Sequence, residues 1–286
     1  MDWQDAAGAI HDLIPQRVKL RMDAIKYMAN HGLNFADFVN SVRQICYVTD
    51  GWPQLCLLSG WNGWGWDSEY PACDYPGEEY GGREGLDALH REARQYHCAV
   101  SMIHNFDDAY QDPPAWDPAI IAVRPDGSLW SATWWAGGPS YIISPYKFWK
   151  SGAAQRTIDT LIGQGLERQI FSDVFSMAPY RESHDRGDES APLTNLVLGK
   201  FKVLEYLRQH DLYLHSEGFN YEMLGRWIGG HSGFNPGLNV DPNRPPLSLF
   251  ITHGLMSRKY WGLSEEGRFV GGDTEVLPNP WSLEAD

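Results

Sequence analysis

A chain of 286 residues with a formal net charge of −14 and a pI near 5.1 suits one large α/β domain or two small ones, and it lacks the basic footprint that nucleic acid or an anionic membrane surface demands. Its 13 Trp and 14 Tyr cannot all be core, and many stand beside Gly, Asp and Pro, where flat rings with a polar tip suit the apolar faces of sugars and also ordinary loop packing. Cys46, Cys56, Cys73 and Cys98 have neither metal-motif nor disulfide-framework spacing, no run is long enough to span a bilayer, and no signal peptide precedes Asp2, so a chain that starts natively at Met1 is expected to be cytoplasmic.

Val18, Met22, Ile25 and Met28 recur at three- and four-residue steps and predict a helix over 15–30, with Gly32 as its C-cap. A shorter helix is expected over 35–43, then a strand over 45–49. Asp50-Gly51 and Pro53 turn the chain into a second buried run at 55–58. Cys46, Cys56 and Cys98 fall in strand-like runs and read as buried small hydrophobes. Residues 59–71 alternate Trp61, Trp64 and Trp66 with Gly and then meet Asp67-Ser68, a loop at a strand end, where barrel binding loops lie. The Asp67 carboxylate can accept two hydrogen bonds from neighbouring sugar hydroxyls. It fits an Asx turn equally well.

A helix over 82–96 puts Leu86, Leu89 and Ala93 on one face, and a strand over 98–104 ends at His104-Asn105. Asn105 is a candidate substrate contact there, while His104 is given no chemical role. Residues 107–144 are punctuated by Asp112-Pro-Pro, Asp117-Pro, Pro125-Asp-Gly127 and Gly137-Gly-Pro139, with 120–124 and 128–130 forming a hairpin. Trp130, Trp134 and Trp135 sit just beyond it. The segment reads as an excursion whose rings wall a cleft, or as a structural lid without ligand contact.

Residues 168–175 read as a buried strand between helices at 145–166 and 193–210, a βαβ signal for a parallel sheet. Asp173 lies near its carboxyl end, and Glu217 ends the next strand, 211–217. Reactive side chains of parallel α/β folds sit at such ends, and two carboxylates there can flank a glycosidic bond. Taken singly, each also fits a helix cap or a loop salt bridge. The polar loop 176–192, a helix near 222–228 and a strand over 247–253 follow. Six or seven parallel strands can be counted, and no repeat or linker divides the chain. The expected architecture is a single (β/α)8 TIM-type barrel over residues 1–286, with a hairpin and loop excursion at about 107–144. No G-x-G-x-x-G, P-loop, G-x-S-x-G or H-E-x-x-H occurs, no cofactor or metal site is called for, and paired carboxylates are the best chemical reading.

Trp3-Gln-Asp-Ala6, Thr49-Asp-Gly51 with Gln54, Leu57-Leu58-x-Gly60 and Gly65-x-Asp67-Ser68-x-x-Pro71 stand in an order that resembles the catalytic domain of endo-α-N-acetylgalactosaminidases, glycoside hydrolase family 101. The related family 129 of α-N-acetylgalactosaminidases is similar in its machinery. The resemblance runs over roughly residues 3–220. It implies that Asp173 is the nucleophile, that Glu217 is the acid/base, and that Asp67 contacts the sugar at the cleavage point. Two histidines of the family motif are replaced here by Trp66 and Tyr70. The expected activity is retaining hydrolysis of an α-linked sugar, first an N-acetylgalactosaminide, on a carbohydrate or glycoconjugate substrate. Asp67, Trp64, Trp66, Asn105, Trp130 and Trp134 are the candidate substrate contacts. A hydrolase of another α-glycoside, such as a galactoside or glucoside, and a catalytically silent carbohydrate-binding barrel are the alternatives.

Overall fold

The structure, a computed structural model, describes residues 25–29, 34–63, 65–72, 75–111, 116–167, 169–175, 181–185, 192–217 and 228–232. In chain order the first elements are β1 (Ile25–Ala29), α1 (Phe35–Val48), β2 (Gln54–Leu58), α2 (Gly82–Gln95), β3 (Cys98–Asn105), β4 (Asp108–Tyr110), β5 (Ser131–Trp135) and β6 (Gly138–Ile142). There follow α3 (Pro145–Lys150), α4 (Ala153–Gly163), β7 (Gln169–Asp173), α5 (Leu193–Gln209), β8 (Tyr213–Glu217) and β9 (Ile228–Ser232).

Six strands form one sheet in the order β1-β2-β3-β7-β8-β9, and every neighbouring pair is parallel. A doubly wound sheet reverses its strand order at a switch point. Here the order follows the chain without reversal, as it does in a β/α barrel, with α1, α2, α3–α4 and α5 in the successive crossovers. All five residues of β2 are buried, as expected for a strand covered on both faces. The helices bury one stripe each: Phe35, Phe38, Val39, Val42 and Ile45 on α1, and Leu86, Leu89 and Ala93 on α2. The excursion between β3 and α3 contains a three-stranded antiparallel sheet in the order β4-β6-β5. No described helix is long and apolar enough to cross a membrane.

Several sequence expectations need correction. The helix expected over 15–30 cannot run to its end, because Ile25–Ala29 pairs in parallel with all of β2; residues 15–24 and 30 lie outside the described residues. Local spacing suited a helix, and pairing with the sheet outweighs it. The strand expected over 45–49 is the last part of α1. The buried stripe of that helix continues to Ile45, while Tyr47 and Val48 are exposed. Cys46 is therefore helical and only half-buried, whereas Cys56 and Cys98 are buried in strands. The helix expected over 145–166 is broken at Ser151-Gly152, where Gly152 takes a φ of +75°. The hairpin expected at 120–124 and 128–130 is present, by contrast: Val123 bridges Leu129, the Trp130 N–H donates to the Ala122 carbonyl at 2.8 Å and the Arg124 N–H to the Ser128 carbonyl at 2.7 Å, and β5–β6 forms a second hairpin after it. Ile228 opens a strand, not the end of a helix. Residues 222–227 and the strand expected over 247–253 lie outside the described residues.

Candidate active site

The site is built where β2, β3 and β7 end. Asp173 is the last residue of β7, and the strand register sets Asn105, the last residue of β3, directly beside it. The Asn105 side chain is fully buried and organises the turn that follows. Its Oδ1 accepts from the backbone N–H of Asp107 at 2.7 Å and of Asp108 at 3.0 Å, and its Nδ2 donates to the Asp108 carboxylate at 2.9 Å. Asn105, expected as a substrate contact, thus holds the turn that presents Asp108.

Asp67 comes from the loop after β2. Trp61 anchors that loop, its ring buried and its Nε1–H donating to the Ile103 carbonyl at 3.2 Å. Asn62 donates to Glu69 at 3.1 Å, both side chains buried, and the Ser68 hydroxyl donates to the Gly65 carbonyl at 2.8 Å. Asp67 itself sits at a φ of +52°, a conformation that Asp tolerates better than most residues. Its carbonyl accepts from the Gly137 N–H at 2.8 Å, so the β5–β6 turn lies directly on this loop. Gly137 makes the approach possible. A Cβ there would fall 2.6 Å from the Ser68 Cα and 2.9 Å from two backbone oxygens.

The carboxylates converge. Burial, then the charge of Asp173, pushes the Asp67 carboxyl up to about 7, against a hydrogen bond from Trp66. Asp108 is also pushed up to about 7, by burial first, then by Asp107 and Asp173, with the Asn105 hydrogen bond opposing and Asp67 adding a smaller push. Asp67, Asp108 and Asp173 thus lie close enough to hinder one another's ionisation. Beside them lies a buried ion pair. The Lys200 ammonium, 1% exposed on α5, is 2.7 Å from the Asp107 carboxylate and donates to the Phe175 carbonyl at 2.6 Å. Burial raises the Asp107 carboxyl, and Lys200 opposes that rise. Among the described residues no group of three His, Cys, Asp or Glu side chains is arranged to hold a metal ion. His104 is core: burial holds its pKa near 3, and its ring packs edge-on against Tyr70 and Phe106.

A cavity of about 300 Å3 opens beside this cluster, lined among others by Asp107, Asp108, Trp130, Trp135, Val174 and Arg181. Trp130 lies near two guanidinium groups, Arg124 at 4.8 Å and Arg181 at 5.5 Å from its ring centre, and its Nε1–H donates to the Glu182 carbonyl at 3.2 Å. Residues 181–185 dock on the excursion through this bond and through His184 N–H to the Val123 carbonyl at 2.8 Å, and on α3 through Asp185 to the buried Lys147 at 3.0 Å.

Of the sequence candidates, the structure therefore brings Asp67, Trp66, Asn105 and Asp173 together and puts Trp130 on the wall of the adjoining cavity. Trp135 lines that cavity, while Trp134 is 74% exposed on β5. Trp64 lies outside the described residues, and so does the side chain of Glu217, whose backbone ends β8. Sequence reading missed Asp108 and Tyr110. Their signal was slight: two consecutive Asp just beyond a strand end, then a residue two places on, which in a strand shares a face with Asp108.

A family model described as endo-α-N-acetylgalactosaminidase matches residues 6–186. Among solved structures, the chain is similar to ligand-free α-N-acetylgalactosaminidase NagBb from Bifidobacterium bifidum, with a TM-score of 0.70 at 16% identity over 87% of this chain and 45% of that one. The GalNAc complex of NagBb gives the same TM-score and identity, over 87% of this chain and 44% of that one. TtGalA, an α-galactosidase from Thermus thermophilus, has a TM-score of 0.52 at 12% identity, over 72% of this chain and 42% of that one. The chain spans less than half the length of these proteins, and at such identities the likeness is one of fold.

Proposed function

The chain belongs to the endo-α-N-acetylgalactosaminidase family, glycoside hydrolase family 101, and from that membership we propose that it is a retaining glycosidase acting on an α-linked N-acetylgalactosaminide. The observation that carries this reading is the register of β7 and β8. Ser172 pairs with Ser216, so Asp173 and Glu217 come next on adjacent parallel strands, at their carboxyl ends. Adjacent strands run about 4.8 Å apart, and a retaining pair of carboxyl groups needs about 5–5.5 Å. In this reading the parallel sheet belongs to a (β/α)8 barrel that forms one catalytic domain.

Asp173 attacks the anomeric carbon and forms a glycosyl ester while Glu217 protonates the departing oxygen. Glu217 then takes a proton from the water that releases the sugar. Asp67 accepts hydrogen bonds from hydroxyls of the sugar at the cleavage point. When Asp173 becomes an ester its charge disappears, which removes one of the two causes that raise Asp67. Asp67 is then a stronger acid and a better acceptor in the intermediate than in the free enzyme. Trp130 and Trp135 line the adjoining cavity, where rings suit the sugar or the group it leaves.

The test is a panel of aryl α-glycosides carrying N-acetylgalactosamine, galactose or glucose, with the first-formed anomer read by NMR. The expected result is turnover of the N-acetylgalactosaminide with α product. Asp173→Asn should melt like the wild type and lose turnover by orders of magnitude, because an amide cannot form the ester. A β product, or near-normal turnover by Asp173→Asn, would sink the mechanism. Preference for galactoside or glucoside would move the substrate. Sugar binding without any turnover would make the chain a silent carbohydrate module.

A further inference from the structure

A cluster of carboxylates has a chemical deficit as a sugar site. Ionised carboxylates only accept hydrogen bonds, whereas each sugar hydroxyl donates one and accepts up to two. Asp67, Asp108 and Asp173 can accept hydrogen bonds from a bound ring, yet when ionised they donate none to its oxygens. Three donors near them are already committed: Asn105 Nδ2 to Asp108, Trp66 to Asp67, and Lys200 to Asp107 and the Phe175 carbonyl.

Tyr110 is different. It stands two residues after Asp108 on β4, so both side chains leave the same face of the strand. Its backbone N–H donates to the Tyr70 carbonyl at 3.3 Å, and the two rings lie 6.2 Å apart, which ties it to the Asp67 loop. The residue is 1% exposed, and its hydroxyl has no hydrogen-bond partner among the described residues. Burial, then the charges of Asp67, Asp108 and Asp173, all favour keeping its proton, so it is held as a donor. A buried unpaired hydroxyl works against folding, and such groups call for an explanation in function.

We propose that Tyr110 is a further substrate-binding residue, whose hydroxyl donates a hydrogen bond to a ring hydroxyl oxygen of the sugar that Asp67 and Asp108 hold as acceptors. This rests on the reading of the pocket as a sugar site, and it adds a specificity element. A ring that presents a hydroxyl at that point can donate to a carboxylate and accept from Tyr110 at once. A ring that lacks it leaves the tyrosine unpaired, which is how polar sites reject analogues.

The experiment uses the 286-residue chain and Tyr110→Phe. It titrates N-acetylgalactosamine, galactose and glucose by calorimetry, then the 3-, 4- and 6-deoxy forms of the sugar that binds best, with a thermal melt of each protein. Tyr110→Phe is expected to bind the parent sugar about five- to tenfold more weakly, the worth of one hydrogen bond, and to melt at the same temperature or higher. One deoxy sugar should bind both proteins equally, because the hydroxyl that meets Tyr110 is missing. Unchanged affinity overturns the inference, as does an equal loss across all the deoxy sugars, a lowered melt with affinity retained, or no binding of any sugar by the wild type. Turnover separates the two readings. Normal turnover with binding indifferent to Tyr110 removes this inference alone. Sugar binding that depends on Tyr110, without turnover, removes the proposed reaction and keeps the inference.

Discussion

Asp108→Asn should make the protein more stable at pH 8 while leaving it unchanged near pH 4. The reasoning starts from linkage. The Asp108 carboxyl, usually at 3.8, is pushed up to about 7 in the fold by burial and by Asp107, Asp173 and Asp67. A carboxyl raised on folding binds its proton more tightly folded than unfolded, so stability falls as pH rises through the window from about 4 to about 7. Three pH units at 1.36 kcal/mol each set a ceiling of about 4 kcal/mol. Partial solvation and relaxation halve that to an expected ~2 kcal/mol. Asn is isosteric and neutral, and its amide oxygen can still accept from Asn105 Nδ2, now 2.9 Å from the carboxylate. Urea unfolding of both proteins at pH 4, 6 and 8 reads the effect. The wild type should lose stability across the series. The variant should lose about 2 kcal/mol less, the remaining fall owing to Asp67 and Asp107, which are raised in the same sense. The variant's kcat/KM should fall even as its stability rises, the usual trade at a strained polar site. Parallel pH profiles for the two proteins, or a variant less stable at pH 8, would refute the claim that these charges crowd one another.

Gly137→Ala should lower both the melting temperature and kcat/KM, because its Cβ would meet backbone 2.6–2.9 Å away and lift the β5–β6 turn off the Asp67 loop. The expected stability loss is about 1–3 kcal/mol, and a variant that melts and turns over like the wild type would show that the turn does not brace that loop. Lys200→Met should cost about 3–5 kcal/mol in denaturant titrations at neutral pH, since it strands the buried Asp107 without its partner at 2.7 Å. Adding Asp107→Asn should recover much of the loss, and so should acid pH, where Asp107 can take up a proton; a cost that neither change reduces would mean that Lys200 matters only as packing.

The legibility of the site in the sequence follows from which forces leave a local trace. The β7 strand was readable because a short apolar run between two helical patterns has an obvious use in a parallel sheet, and its terminal Asp173 came with it. The same local logic failed at Ile25–Ala29, where the apolar spacing suits a helix and pairing with β2 decides otherwise. Asp107 and Asp108 leave almost no trace. Two acidic residues after a strand look like solvated turn charge, and the partner of the buried Asp107 is Lys200, brought in by a helix far along the chain. The two departures from the family motif become intelligible only in three dimensions. Trp66, which stands where the family motif has histidine, supplies a hydrogen bond to Asp67. The added bulk of its ring is directed at Tyr70, which it meets edge-on at 6.4 Å, and Tyr70 in turn lies 6.2 Å from Tyr110. The two replacements are therefore one aromatic pair, and it leads from the Asp67 loop to Tyr110 and its hydroxyl. A change at either position acts on that hydroxyl's placement, so Trp66 and Tyr70 are expected to be energetically coupled to Tyr110 and not to act independently.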